Sequence, residues 1–201
     1  GRIEAAGELA EEAIELAALS ESATMTANTL ATAALHDAHA GNEASCRARV
    51  AESLEALERA GYGVSAHWAF TALGLLEVSL GNAAAARDAM APLVELSEKL
   101  DVREPIRLTF LPDYAEALIE LGELDRAQGV IDFHLALGRE HDRASTLASA
   151  ERARALLLAA RGDTEGAHDA LSAAFRHHER LPVTIDLARA HIVRGLLERR
   201  A

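Results

Sequence analysis

A disulfide framework is the first thing this sequence excludes, because 201 residues hold one cysteine, Cys46. A reducing cytoplasm fits. Aromatic residues make up 3% of the chain and strand-like alternation is absent. Both point to an all-helical protein packed at short distances. No continuous apolar run is long enough to cross a bilayer, so a soluble protein without a membrane partner is expected. An initiator methionine and a signal peptide are both missing, which predicts a chain that begins in mid-repeat. Lysine is nearly absent, with one against nineteen arginines, a bias associated with GC-rich bacterial genomes. The formal charge is −12, and it is uneven: residues 1–60 and 61–140 each carry −7, whereas 141–201 carry +2. So acidic a chain is a poor partner for a phosphate backbone, and no direct contact with nucleic acid is expected. Arg189, Arg194, Arg199 and Arg200, clustered near the end, read as the solvated face of a helix whose partner is missing.

What is present is a repeat. Gly1, Gly41, Gly81, Gly122 and Gly162 stand 40, 40, 41 and 40 residues apart. Five residues beyond each glycine lie Ala6, Cys46, Ala86, Ala127 and Ala167, and seven before it lie Ala34, Gly74, Ala115 and Ala155. All are small, and each pair spans twelve residues, one on each helix of a hairpin, which is the spacing by which tetratricopeptide-type hairpins cross. Nine and thirteen residues beyond the glycines, the series Ala10, Val50, Met90, Ile131, Leu171 and Ile14, Leu54, Val94, Leu135, Phe175 are apolar throughout. Steps of four build one stripe along the second-type helix of each unit.

The spacing predicts an all-α, right-handed α-solenoid of about ten helices in antiparallel hairpins, tetratricopeptide-like with a period of about 40 residues. All of residues 1–201 form a single domain in this reading, excised from a larger protein. A second-type helix runs from Gly1 to about Leu19, and hairpins start near Ser22, Ser65, Ile106 and Ala144. Leu181-Pro182 breaks the path, and a first-type helix follows from about Val183 with Gly195 in phase with the small positions. Around Pro105 and Pro112 two paths compete. Either the helix starts near Pro112 after an extended lead-in, or it starts near Pro105 and bends. The apolar run Ile106, Leu108, Phe110 and Leu111 has to be buried, and this favours the bend.

Catalytic chemistry finds little support. His36 and His39 share a helix face but lack the further ligands zinc requires, so they read as a surface pair and no metal is expected. His177-His178-Glu179 reads as a polar helix end. The turn glycines carry no Lys-Ser or Lys-Thr behind them, so no phosphate loop is present, and no nucleophile elbow surrounds any serine. The pairs Glu11 with Glu12 and Glu95 with Glu98 lie off the apolar stripe, on solvated faces. An enzyme is not expected, nor a cofactor.

Ligand contacts are expected on the concave wall that first-type helices line. Offsets of −13 and −10 from each turn glycine give Asn28 and Ala31, Trp68 and Thr71, Thr109 and Pro112, and Ser149 and Arg152, with Glu116 added at −6. The candidate ligand-binding residues are Asn28, Trp68, Thr71, Glu116 and Arg152. Trp68, the only tryptophan, either offers a stacking surface in that groove or fills space between two hairpins.

Four stretches carry a resemblance. They are Pro-x-x-x-x-Phe-Leu-Pro-Asp-Tyr-Ala-Glu-Ala-Leu-Ile-Glu-Leu-Gly-Glu-Leu-Asp-Arg-Ala from Pro105, Ala-Arg-Gly-Asp-Thr-Glu-Gly-Ala from Ala160, His-Glu-Arg-Leu-Pro from His178, and Leu-Ala-Arg-Ala-His-Ile-Val-Arg-Gly from Leu187. Over residues 105–197 the chain resembles the helical-repeat region of large ATP-binding LuxR-type transcriptional regulators, relatives of the maltose regulator. The resemblance implies a nucleotide-binding domain upstream, a helix-turn-helix downstream, and a non-enzymatic bacterial sensor or coupling module that binds a small-molecule inducer or a protein between them. It supplies no site residues. The alternative is a free-standing tetratricopeptide-like scaffold for protein–protein interaction. In either case, self-association through the open repeat ends is expected.

Overall fold

In a computed structural model, residues 3–60, 66–181 and 184–200 are described, and among them every regular element is helical. Ten α-helices occur there: α1 (Ile3–Leu19), α2 (Ala23–Ala40), α3 (Glu43–Ala60), α4 (Ala66–Ser79), α5 (Ala83–Lys99), α6 (Leu111–Glu120), α7 (Leu124–Glu140), α8 (Ala144–Ala160), α9 (Thr164–His178) and α10 (Thr184–Arg200). The expected starts at Ser65 and Val183, and Pro182 of the expected break, lie outside the described residues.

Two kinds of tight turn set this order. Gly41, Gly81, Gly122 and Gly162 have φ between 76° and 82°. In that left-handed conformation the chain doubles back, so the amides of Asn42, Asn82, Glu123 and Asp163 each reach the carbonyl five residues earlier at 2.9 Å. The second kind has no glycine: Glu21, Asp101 and Asp142 hold φ of 53°, 47° and 44°. The Arg143 amide then closes on the Gly138 carbonyl at 2.9 Å, as in the glycine turns.

The helices group into two compact units, Arg2–Glu98 and Lys99–Ala201. In the first, α2 packs on α1, α3 and α4, around Ala31, Ala34, Cys46, Val50, Ala72 and Leu76. In the second, α8 packs on α6, α7, α9 and α10. Small residues let these helices approach closely: Ala34, Cys46, Ala86, Ala115, Ala127, Ala155 and Ala167 are all 0% exposed. A Cβ at Gly74 would lie 2.4 Å from Met90 Cγ, and one at Gly138 would lie 2.8 Å from Leu147 Cδ2.

The path around the prolines differs from the favoured bend. Pro105–Leu108 forms a short 3-10 helix, and α6 begins at Leu111 with Phe110 at its N-cap. Pro112 therefore sits in the first turn, where its missing N–H is a donor the helix could not have used. Leu108, Phe110 and Leu111 are buried without a continuous helix, and Ile106 is left exposed. As a result α6 has ten residues, while the other α-helices have 14 to 18.

Candidate functional site

The second unit gathers charge on the wall formed by α6, α8 and α10. Asp113 and Glu116 stand one turn apart on α6, so their carboxylates share a face. Arg152 of α8, whose side chain is 3% exposed, donates from Nη1 to Glu116 Oε2 at 2.8 Å and places Nη2 3.6 Å from Asp113 Oδ1. Arg189 of α10 donates from Nη2 to Glu116 Oε2 at 3.1 Å and also pairs with Asp113. Burial opposes the Arg189 charge, but Asp113 and Glu116 outweigh it and hold the guanidinium above the ordinary arginine value. Two carboxylates and two guanidiniums therefore neutralise each other within one wall. Glu116 is the most exposed member, with a side-chain exposure of 26%.

His178, in the last turn of α9, is buried and bonds through neither ring nitrogen. Burial lowers its pKa; the Asp186 charge opposes this, and Arg152 adds to it. The ring is therefore neutral at physiological pH, with a donor and an acceptor unmet. On α7, His134 is likewise buried, its Nε2 3.5 Å from Ser149 Oγ, and burial lowers its pKa to about 4.

The first unit carries a different buried polar seam. Asp37 accepts from Ser45 Oγ at 2.7 Å and pairs with Arg49 Nη1 at 3.0 Å. Glu77, at the same distance before its turn glycine, accepts from Arg47 Nη1 at 2.6 Å and from Asn82 Nδ2 at 2.9 Å. Burial pushes the Glu77 carboxyl up, yet these two hydrogen bonds outweigh it and hold it below the usual range. In the second unit the equivalent positions are Leu118 and Leu158, which leave no such seam.

The expected site residues divide between the units. Glu116 and Arg152 meet in one ion pair of the second. In the first, Trp68 is half-buried, packs partly against the core and meets His67 edge-on at 5.0 Å. Thr71 is buried, and its hydroxyl donates to the His67 carbonyl at 2.8 Å. Asn28 is half-buried, as is Ser149, whereas Thr109 is exposed and Ala31 and Pro112 are buried.

Two readings are corrected. Arg189 is not on a solvated face: α8 and α10 pack together, and the opposite charges on α6 draw its guanidinium inward. His178 is not part of a polar helix end, because it is buried where α9 meets the rest of the unit. Asp113, Arg189 and His178 are the residues that motif reading missed. A signal existed in the spacing. Glu116, Arg152 and Arg189 follow one another at 36 and 37 residues, close to one repeat. Of the histidine pair, His36 turns Nε2 to the Ile3 carbonyl at 2.9 Å. No group of three metal-ligating side chains comes together among the described residues, and no described helix is long and apolar enough to cross a membrane.

Compared with protein-family models and with curated proteins, the chain matches none.

Proposed function

We propose that this chain is the non-enzymatic sensor or coupling module of a bacterial LuxR-type transcriptional regulator, working in the cytoplasm without a cofactor of its own. Within each unit its hairpins stack as a right-handed, tetratricopeptide-like solenoid of about 40 residues per turn of the repeat. The ligand, a small-molecule inducer or a protein segment, docks on the wall of first-type helices.

One observation carries this reading: the wall of α6, α8 and α10 holds four charged side chains, and α9, which packs on α8 and α10, buries the imidazole of His178 with both nitrogens unmet. Stability alone does not call for such a wall, since buried ion pairs are often matched or bettered by apolar packing. Further support comes from which helices touch. First-type helices pack on each other, α2 on α4, α6 on α8 and α8 on α10, as the inner wall of a solenoid requires. Ion pairs between successive repeats recur at sequence separations of 36 to 38, as in Arg49–Glu11, Arg103–Glu140, Arg152–Glu116 and Arg180–Asp142.

The test is a thermal-shift screen of the chain with sugars, amino acids and nucleotides, repeated with Glu116→Gln and Trp68→Ala. The expected result is one class that raises the melting temperature, by the equivalent of about 2.7 kcal/mol at a hundredfold excess over Kd, and loses its effect in one variant. Flanking sequence gives a second readout, a P-loop before residue 1 and a helix-turn-helix after residue 201. If neither flank is present and peptides alone bind, the scaffold reading replaces this one.

A further inference from the structure

The histidines of this chain differ in what their ring nitrogens meet. His36 turns Nε2 to the Ile3 carbonyl, and His134 brings Nε2 to Ser149 Oγ. Among the described residues, His178 is the histidine whose two ring nitrogens are both shielded from water and both without a hydrogen-bond partner. A folded protein leaves few buried polar atoms unmet, so a ring that leaves two calls for an explanation.

The ring lies where the chain leaves α9: the His178 carbonyl accepts from the Leu181 amide at 3.0 Å. Helix α9 packs on α8 and α10, and charged or titratable groups act on the ring from each of these elements. They are Arg152 from α8, Asp186 and His191 from α10, and His177 from α9 itself, while the charge of Glu151 on α8 falls on His177. A neutral imidazole is tolerated in such a place. An imidazolium is not, because it carries two N–H donors with no acceptor to receive them and stands near the Arg152 guanidinium. Water on both nitrogens would satisfy it, and water arrives only if a helix moves.

Helix α10 is the one held least. Helix α8 is gripped by α6, α7 and α9 as well as by α10, and its crossing with α9 joins Ala155 and Ala167, both of zero exposure. A Cβ on Gly195 of α10, by contrast, would meet nothing within 4 Å. Arg189 holds α10 to α6 through a single nitrogen, Nη2, which serves both Asp113 and Glu116.

We infer that His178 is an acid-operated latch on α10: a proton taken up by the ring releases α10 from α8 and α9 and draws Arg189 away from Asp113 and Glu116. The direction follows from the burial that holds the closed ring below the ordinary histidine value of 6.5, with Asp186 opposing. An open ring regains that ordinary value. Above pH 6.5 the closed state is undisturbed; below it, each unit of pH raises the open population by up to about tenfold. Opening also breaks up the wall on which a ligand is proposed to dock, so ligand affinity should fall in acid. That last link rests on the reading of the wall given above, whereas the latch itself requires no ligand.

Hydrogen exchange of the 201-residue chain without ligand, from about pH 7.5 to about pH 5.5, tests the latch. After correction for the chemical exchange rate, protection of Thr184–Arg200 should fall by up to about tenfold per unit below pH 6.5, while α6, α7 and α8 keep theirs. His178→Phe retains a ring and removes the proton site, so protection of α10 should become independent of pH. His134→Phe should leave the α10 response intact, which separates the latch from acid effects at His134. Nuclear magnetic resonance of ring-labelled histidines in the unaltered chain gives a readout that needs no variant: the His178 signal should titrate in step with the loss of α10 protection. Protection of α10 that ignores pH, a response that survives His178→Phe, or loss of α6, α7 and α8 together with α10 in one step would overturn the inference.

Discussion

Gly74→Ala tests the crossing between α4 and α5 with the smallest perturbation available. The added Cβ would lie 2.4 Å from Met90 Cγ, 2.6 Å from Sδ and 3.0 Å from Cε, and Met90 is itself 0% exposed. Methionine is flexible, but Met90 is fully buried, so moving it aside disturbs its own packing, and overpacking costs about 1–3 kcal/mol. Against that, alanine is better than glycine in a helix by about 1 kcal/mol. The net expectation is a loss of roughly 0–2 kcal/mol. The comparison with Gly195→Ala is sharper, because the same phase of α10 is open. There only the propensity term acts, and a gain of up to about 1 kcal/mol is expected. A double-mutant cycle isolates the clash. With Met90→Ala in place, Gly74→Ala should turn stabilising, giving a coupling of about 1–3 kcal/mol. Urea unfolding is the assay, followed by Trp68 fluorescence for Gly74, which lies in the same unit, and by far-ultraviolet circular dichroism for Gly195, which lies in the other. A Gly74→Ala protein as much stabilised as Gly195→Ala would refute the crossing.

Removing the buried guanidinium with Arg152→Met should cost about 3–5 kcal/mol, because Asp113 and Glu116 would be left with Arg189 alone; urea unfolding followed by far-ultraviolet circular dichroism checks this, and a loss under about 1 kcal/mol would count against the cluster. Acid should destabilise the protein through His134. Its pKa falls from 6.5 to about 4 on folding, so below pH 6.5 the unfolded chain takes up the proton and the folded chain does not. Stability is complete above pH 6.5 and declines toward pH 4, with a slope nearing 1.4 kcal/mol per pH unit in mid-range. His134→Phe should flatten that part of the profile, measured as urea midpoints between pH 4 and 7, and an unchanged slope would rule the assignment out.

Local rules carried much of the fold. Gly41, Gly81, Gly122 and Gly162 could be read as turns because a left-handed backbone after a helix is almost a glycine property, and all four adopt it. The small pairs were legible because close approach of two helices admits few side chains. Glu21, Asp101 and Asp142 reach the same backbone region without glycine, so the turns between hairpins gave no comparable signal. Pro112 constrained α6 but left two acceptable paths, and the choice fell to the burial of Leu108 and Phe110. The candidate site depended most on tertiary structure. Asp113 and Arg189 are 76 residues apart, and a charge on a helix surface reads as solvated until another helix covers it. Packing of α10 on α8 turned Arg189 from a surface charge into an ion-pair partner, and the fold of the second unit enclosed His178. Sequence fixes which residues can pair; only the stacking of helices several repeats apart selects which of them lose their water.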